Sequence, residues 1–163
     1  MLYLELFFQG IVQGSIYALI ALGLTLVYGL LRILHVAHAA LFTLGGYLGV
    51  IVTNATGSFL LATAVAMIVV GFVGIAVYKL VYEPLLSKPP FISLIASIAL
   101  FIASEEIFRI IFGPYGLSYT NPPMQGYFEL FGGFFLKYGE ALVIALSVVM
   151  LVILGWFAAN TRL

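Results

Sequence analysis

The sequence predicts an all-α fold: a polytopic transmembrane helix bundle of about five spans with a small external β-hairpin. Composition is the first of the two observations behind this. Hydrophobic residues make up 64% of the 163 and charged ones 7%, with a mean hydropathy of +1.25. Globular chains in water carry roughly 25% charged residues, so the surplus apolar surface must face lipid. The second is the spacing of apolar runs. They fall at about 8–31, 36–53, 59–82, 91–112 and 140–159, and at about 1.5 Å per residue each can cross roughly 30 Å of hydrocarbon.

Taken in order, the first run is preceded by Met1-Leu-Tyr-Leu-Glu5, which holds no positive charge. It lacks the n-region of a cleaved secretory signal, so this segment is expected to stay in the mature protein. Gly10, Gly14, Ala18 and Ala21 give it a small-residue face suited to close helix packing. The second run is short, begins with His35 and His38, and contains Gly45, Gly46 and Gly49. An intact helix and a broken or re-entrant one both fit it. The third carries Gly71 and Gly74, again a packing spacing.

If the spans alternate, Arg32, Lys79, Lys88 and Arg162 fall on one side and Lys137 on the other, with Arg109 near the outer end of the fourth run. The basic side is expected to be cytoplasmic, which puts the N-terminus outside and the C-terminal end inside. The sizeable connection, 113–139, then lies outside. Within it Tyr127-Phe-Glu-Leu-Phe131 and Phe134-Phe-Leu-Lys-Tyr138 flank Gly132-Gly133, a pair that tolerates positive φ and closes a tight hairpin. The competing reading is an irregular aromatic belt at headgroup level. The whole of 1–163 reads as one transmembrane domain, itself incomplete.

Ionisable residues inside spans face a bundle interior, a cavity or one another. Glu105 and Arg109 are four apart and Glu106 and Arg109 three apart, so the arginine can pair with either carboxylate on a helix. One account is a neutralised cluster near the interface, with Arg109 snorkelling. The other is a lining at the outer mouth of a solute path. His35 and His38 are spaced to share a helical face, and packing explains them better than a metal, for which further ligands are missing nearby. Ser15, Thr25, Thr43 and Tyr28 can bond between helices or line a path. The substrate-path candidates are therefore Ser15, Thr25, His35, His38, Thr43, Glu105, Glu106 and Arg109.

Several classes are excluded. The net charge is zero with no basic run, so nucleic acid is not an expected partner. There is no cysteine and no aspartate, and no nucleophile, base and orienter set can be assembled. No P-loop is present, so any ATP must be bound elsewhere. No catalytic residue, metal or cofactor is expected.

Gly14-Ser-Ile-Tyr-Ala-Leu-Ile-Ala-Leu-Gly-Leu-Thr-Leu-Val-Tyr-Gly29 closely resembles the first core helix of permeases of branched-chain amino-acid ABC importers. Leu34-His-Val-Ala-His38-Ala-Ala-Leu-Phe-Thr-Leu-Gly-Gly-Tyr-Leu48 resembles the family's next motif, keeping Ala37, His38, Leu44, Gly45 and Tyr47. It departs at His35, Ala39 and Ala40, where the family usually has Asn, Gly and an acid. Tyr82-Glu-Pro-Leu85, Phe112-Gly-Pro114 and Glu129-Leu-Phe-Gly-Gly133 resemble later family segments. Glu105 and Glu106 stand where many relatives carry Gln and Asn, which opens the solute to related amino acids, amides and urea-like compounds.

The resemblance implies alternating access in the bacterial inner membrane. It implies a second permease subunit, cytoplasmic ATPase subunits that bind the ATP, and a periplasmic solute-binding protein. It also implies an ATPase-docking loop after Asn160-Thr-Arg-Leu163, so the sequence reads as a fragment or a truncated product. A passive channel for a small polar solute, or a structural subunit left by truncation, is the alternative.

Overall fold

The computed structural model describes residues 2–130 and 134–160. Five long helices dominate it: α1 (Leu2–Leu31), α2 (His38–Thr56), α3 (Phe59–Val77), α4 (Pro90–Phe112) and α5 (Tyr138–Asn160). Among the described residues, five helices are long and apolar enough to cross a membrane. Two short strands, β1 (Tyr127–Leu130) and β2 (Phe134–Lys137), pair antiparallel. The Gly132-Gly133 turn expected between them lies outside the described residues.

The chain divides into two compact units. One holds the chain up to Gly23 together with 124–163, and the other holds 24–123. In the first, Ser147 on α5 is buried and its hydroxyl donates to the Ser15 carbonyl on α1 at 2.7 Å. A hydroxyl satisfied by a neighbouring helix is a directional tie where apolar side chains gain nothing by leaving lipid for one another. The strands pair Tyr127 with Lys137 through Leu130 with Phe134, and the Tyr127 and Phe135 rings meet edge to face at 4.8 Å, a diagonal cross-strand contact. Gly126 leads into β1 at φ +145°, its carbonyl accepting from the Tyr138 N–H, and a Cβ there would collide with the Tyr138 ring. Glycine is the residue this position accepts. Glu140 then accepts from the Lys137 N–H at 3.3 Å, covering a free donor at the start of α5.

In the second unit α2 packs chiefly on α3 and to a lesser extent on α4. The helix α2 is continuous despite its glycines. A Cβ at Gly45 would lie 3.8 Å from Val70 and one at Gly74 3.9 Å from Leu41, ordinary van der Waals contact, so α2 and α3 pack together here without requiring glycine. Gly57 ends α2 in the left-handed conformation at φ +71°, its N–H returned to the Thr53 carbonyl. Ser58 restarts the chain by accepting from the Leu61 N–H. The far end of α3 widens into a π-helical turn over Tyr78–Tyr82, closed by Glu83 N–H on the Tyr78 carbonyl. A 3₁₀ turn, Glu83–Leu85, follows. Pro90 occupies the first position of α4, where its missing N–H costs nothing. Beyond α4, Asn54 clasps the next connection: its side-chain amide donates to the Ser118 carbonyl and its oxygen accepts from Thr120 N–H, at 3.0 and 2.9 Å.

Candidate functional site

Polar groups gather at two places in the second unit. The first is the connection 32–37 between α1 and α2, which alternates in exposure: Ile33, His35 and Ala37 are buried, while Arg32, Leu34 and Val36 are exposed. The segment is not a strand: Arg32 sits at φ +53°, and Ala37 is already in a helical conformation, with the His38 N–H returned to the His35 carbonyl. The connection turns His35, 6% exposed, onto the end of α3, where its Nδ1 shares a 2.6 Å hydrogen bond with the Tyr82 hydroxyl. Two residues on, the Ala37 N–H donates to the Ser97 hydroxyl of α4 at 3.1 Å. Tyr82 is also within hydrogen-bonding reach of Ser97. His35, Ala37, Tyr82 and Ser97 are all buried; Tyr82 and Ser97 answer the His35 ring and the Ala37 N–H, while the carbonyls of His35, Val36 and Ala37 accept from the first N–H groups of α2. Burial first, and the neighbouring His38 second, hold the His35 imidazole down to about 4.

His35 precedes α2, so it does not share a helical face with His38 as the spacing predicts. The two rings lie 6.1 Å apart and border one cavity of about 210 Å³, otherwise lined by apolar side chains and the tyrosines Tyr78 and Tyr82. Among the described residues, no three His, Cys, Asp or Glu side chains come together as metal ligands would.

The second place is a cleft of about 170 Å³ between α2 and α4. Ala40, Thr43 and Tyr47 form one wall, each a helical turn from the next. Phe101, Glu105, Phe108 and Arg109 form the other, with Gly113 and Pro114 at its end. The Tyr47 ring stacks on Phe112 at 4.2 Å and meets Phe108 at 5.6 Å. Arg109 pairs with Glu106 rather than Glu105, Nη1 to Oε1 at 3.3 Å, and both side chains are more than half exposed. Glu105 borders the cleft and, among the described residues, has neither ion pair nor hydrogen bond.

The structure thus brings three of the sequence candidates, Thr43, Glu105 and Arg109, into one cleft. It sets Glu106 beside that cleft as the partner of Arg109. His35 and His38 border the other cavity. Ser15 returns its hydroxyl to the Ile11 carbonyl, and Thr43 does the same to Ala39. Thr25 is exposed on α1. Sequence reasoning missed Tyr82, Ser97 and Ser147. The available signal was two serines in otherwise apolar spans and a tyrosine placed at a span end.

Five long apolar helices, most of their surface unburied, with the charged groups among the described residues at one cleft, at helix ends and in the hairpin, define a polytopic helical membrane protein. No solved structure matches the chain. Over residues 6–163 it matches the family described as branched-chain amino acid transport system / permease component. The chain belongs to that family. Among curated proteins it is 30% identical, over 109 residues, to the high-affinity branched-chain amino acid transport system permease protein LivH of Escherichia coli, covering 61% of this chain and 35% of the relative. Its likeness to LivH of Salmonella typhimurium is 28% over the same coverage. To the corresponding permease protein BraD of Pseudomonas aeruginosa it is 31%, covering 61% of this chain and 36% of that one. The chain therefore spans about a third of the length of the curated relatives it matches.

Proposed function

We propose that this chain supplies part of the translocation path of an ABC importer for branched-chain or related amino acids. The observation that carries the reading is the family match, which runs through all five membrane-crossing helices. The chain would do no bond chemistry. Its contribution would be a cavity whose exposure alternates between the two sides of the membrane, a shift between populations driven from outside the chain. ATP would be bound and hydrolysed by cytoplasmic ATPase subunits, a second permease subunit would complete the path, and a periplasmic solute-binding protein would deliver the solute. The setting would be the bacterial inner membrane, with the N-terminus outside and the C-terminal end cytoplasmic. Supporting that orientation, Arg32 and Lys79 follow the C-terminal ends of α1 and α3 and Lys88 precedes the N-terminal end of α4, which is one side of the membrane if the helices alternate.

The test is uptake of radiolabelled leucine into proteoliposomes carrying the chain with the subunits that co-purify with it. ATP-dependent accumulation is the expected result. Uptake that continues without ATP would move the reading to a passive channel, and absence of flux for any amino acid would move it to a structural subunit.

A further inference from the structure

We infer that the cleft between α2 and α4 is a subsite for the zwitterionic head of an α-amino acid, with Glu105 taking the ammonium and Arg109 the carboxylate. This rests on the transport reading above and gives it a recognition chemistry. The argument starts from Glu105. It stands seven positions before the end of α4, which puts it about 10 Å along the helix from that end. A carboxylate at such a position in a membrane-crossing helix is costly unless it meets water or positive charge. Arg109 lies one turn on along α4, yet its Nη1 is committed to Glu106. Glu105 is left as an unanswered negative charge bordering the cleft.

The other half of the site is the arginine itself. One carboxylate on Nη1 leaves the remaining N–H donors of a planar guanidinium for a second one, and that fork matches a carboxylate's two oxygens. Glu105 and Arg109 thus present a bare negative group and a part-used positive group to one cleft, four residues apart on a single helix. An α-amino acid carries the complementary pair on adjacent atoms. The remaining walls include the aromatic Tyr47, Phe101 and Phe108, which suit an apolar side chain and let an ammonium rest against a ring face. At about 170 Å³ the cleft is smaller than the roughly 300–1,000 Å³ of sites for drug-sized ligands. It has room for a small amino acid and not for a peptide.

The experiment is direct binding to the permease complex, purified in detergent and freed of any solute-binding protein. L-leucine is compared with 4-methylpentanoate, which lacks the ammonium, and with L-leucinamide, which lacks the carboxylate. Glu105→Gln is expected to weaken L-leucine and L-leucinamide about tenfold, equivalent to ~1.4 kcal/mol, and to leave 4-methylpentanoate unchanged. Arg109→Gln is expected to do the reverse, weakening L-leucine and 4-methylpentanoate but not L-leucinamide. Arg109→Lys keeps the charge while losing the fork, so it should show the same selectivity with a smaller loss. It carries the test if Arg109→Gln does not assemble. Equal responses of both analogues to both substitutions, or unchanged L-leucine binding by Glu105→Gln in a complex that still imports leucine, would overturn the subsite alone. A wild-type complex that neither binds nor imports any amino acid would overturn the transport reading and the subsite together.

Discussion

Around Ala37 the polar groups of the second unit close on one another, whereas around Thr43, six residues along the same chain, they stay open. At the first place His35, Tyr82, Ser97 and the Ala37 N–H are buried and hydrogen-bonded. At the second, Arg109 and Glu106 are more than half exposed and Glu105 has no partner among the described residues. A satisfied, buried network gains by specifying one arrangement of the chain, and any member's loss strands the others. An exposed charge with nothing to hold contributes little to the fold and is available to a ligand. Substitutions at the two places should therefore divide cleanly between stability and binding.

The largest effect expected is a pH effect at the closed place. The folded protein holds His35 at about 4, below the ordinary value of about 6.5, so the unfolded chain takes up a proton first as the pH falls. Stability should be flat above about pH 6.5 and should decline between there and pH 4, by about 3 kcal/mol in all. Thermal unfolding in detergent from pH 7.5 to 4.5 measures this, and His35→Asn should flatten the His35 part of the slope. A wild-type slope identical to the variant's would show that His35 is not held neutral.

Next in size, Ser97→Ala strands the Ala37 N–H, and Tyr82→Phe removes the hydroxyl from His35. Each should cost about 1–3 kcal/mol, the range for a buried polar group left without its partner. Chemical denaturation of the purified protein reads both, with Glu105→Gln as the contrasting variant that leaves the midpoint in place. If Glu105→Gln destabilised as much as Ser97→Ala, the division between the two places would be wrong. The smallest effect belongs to Glu106→Gln. It breaks an exposed pair worth about 0.2–1 kcal/mol, and its unfolding midpoint should shift less than that of Ser97→Ala in the same assay.

The architecture was legible in the sequence because it is written in composition and run length. Lipid admits few alternatives to a helix, so five long apolar runs leave little choice. The hairpin was legible from Gly132-Gly133 and the two aromatic-rich segments that flank it, and its strands form at Tyr127–Leu130 and Phe134–Lys137. The three glycines of α2 left its continuity open, because tertiary packing, which the run itself does not show, overrides local propensity. The pairing at the charged cluster was legible only as far as helical spacing allows. Both Glu105 and Glu106 are within reach of Arg109, and only side-chain geometry shows Glu106 taking the pair. Ser97 was invisible for a plainer reason. A serine in an apolar run means nothing until its partner is known, and that partner is a backbone N–H sixty residues away.

The π-helical turn at Tyr78–Tyr82 acts as a phase adjuster for α3. Each residue of an α-helix advances the side-chain direction by about 100°, so accommodating one extra residue in a turn delays everything after it. Tyr82 meets His35 at that delayed angle, not at the one an unbroken α-helix from Phe59 would give. Removing a single residue between 78 and 81 would leave every amino acid of the closed network in place and still rotate its tyrosine away.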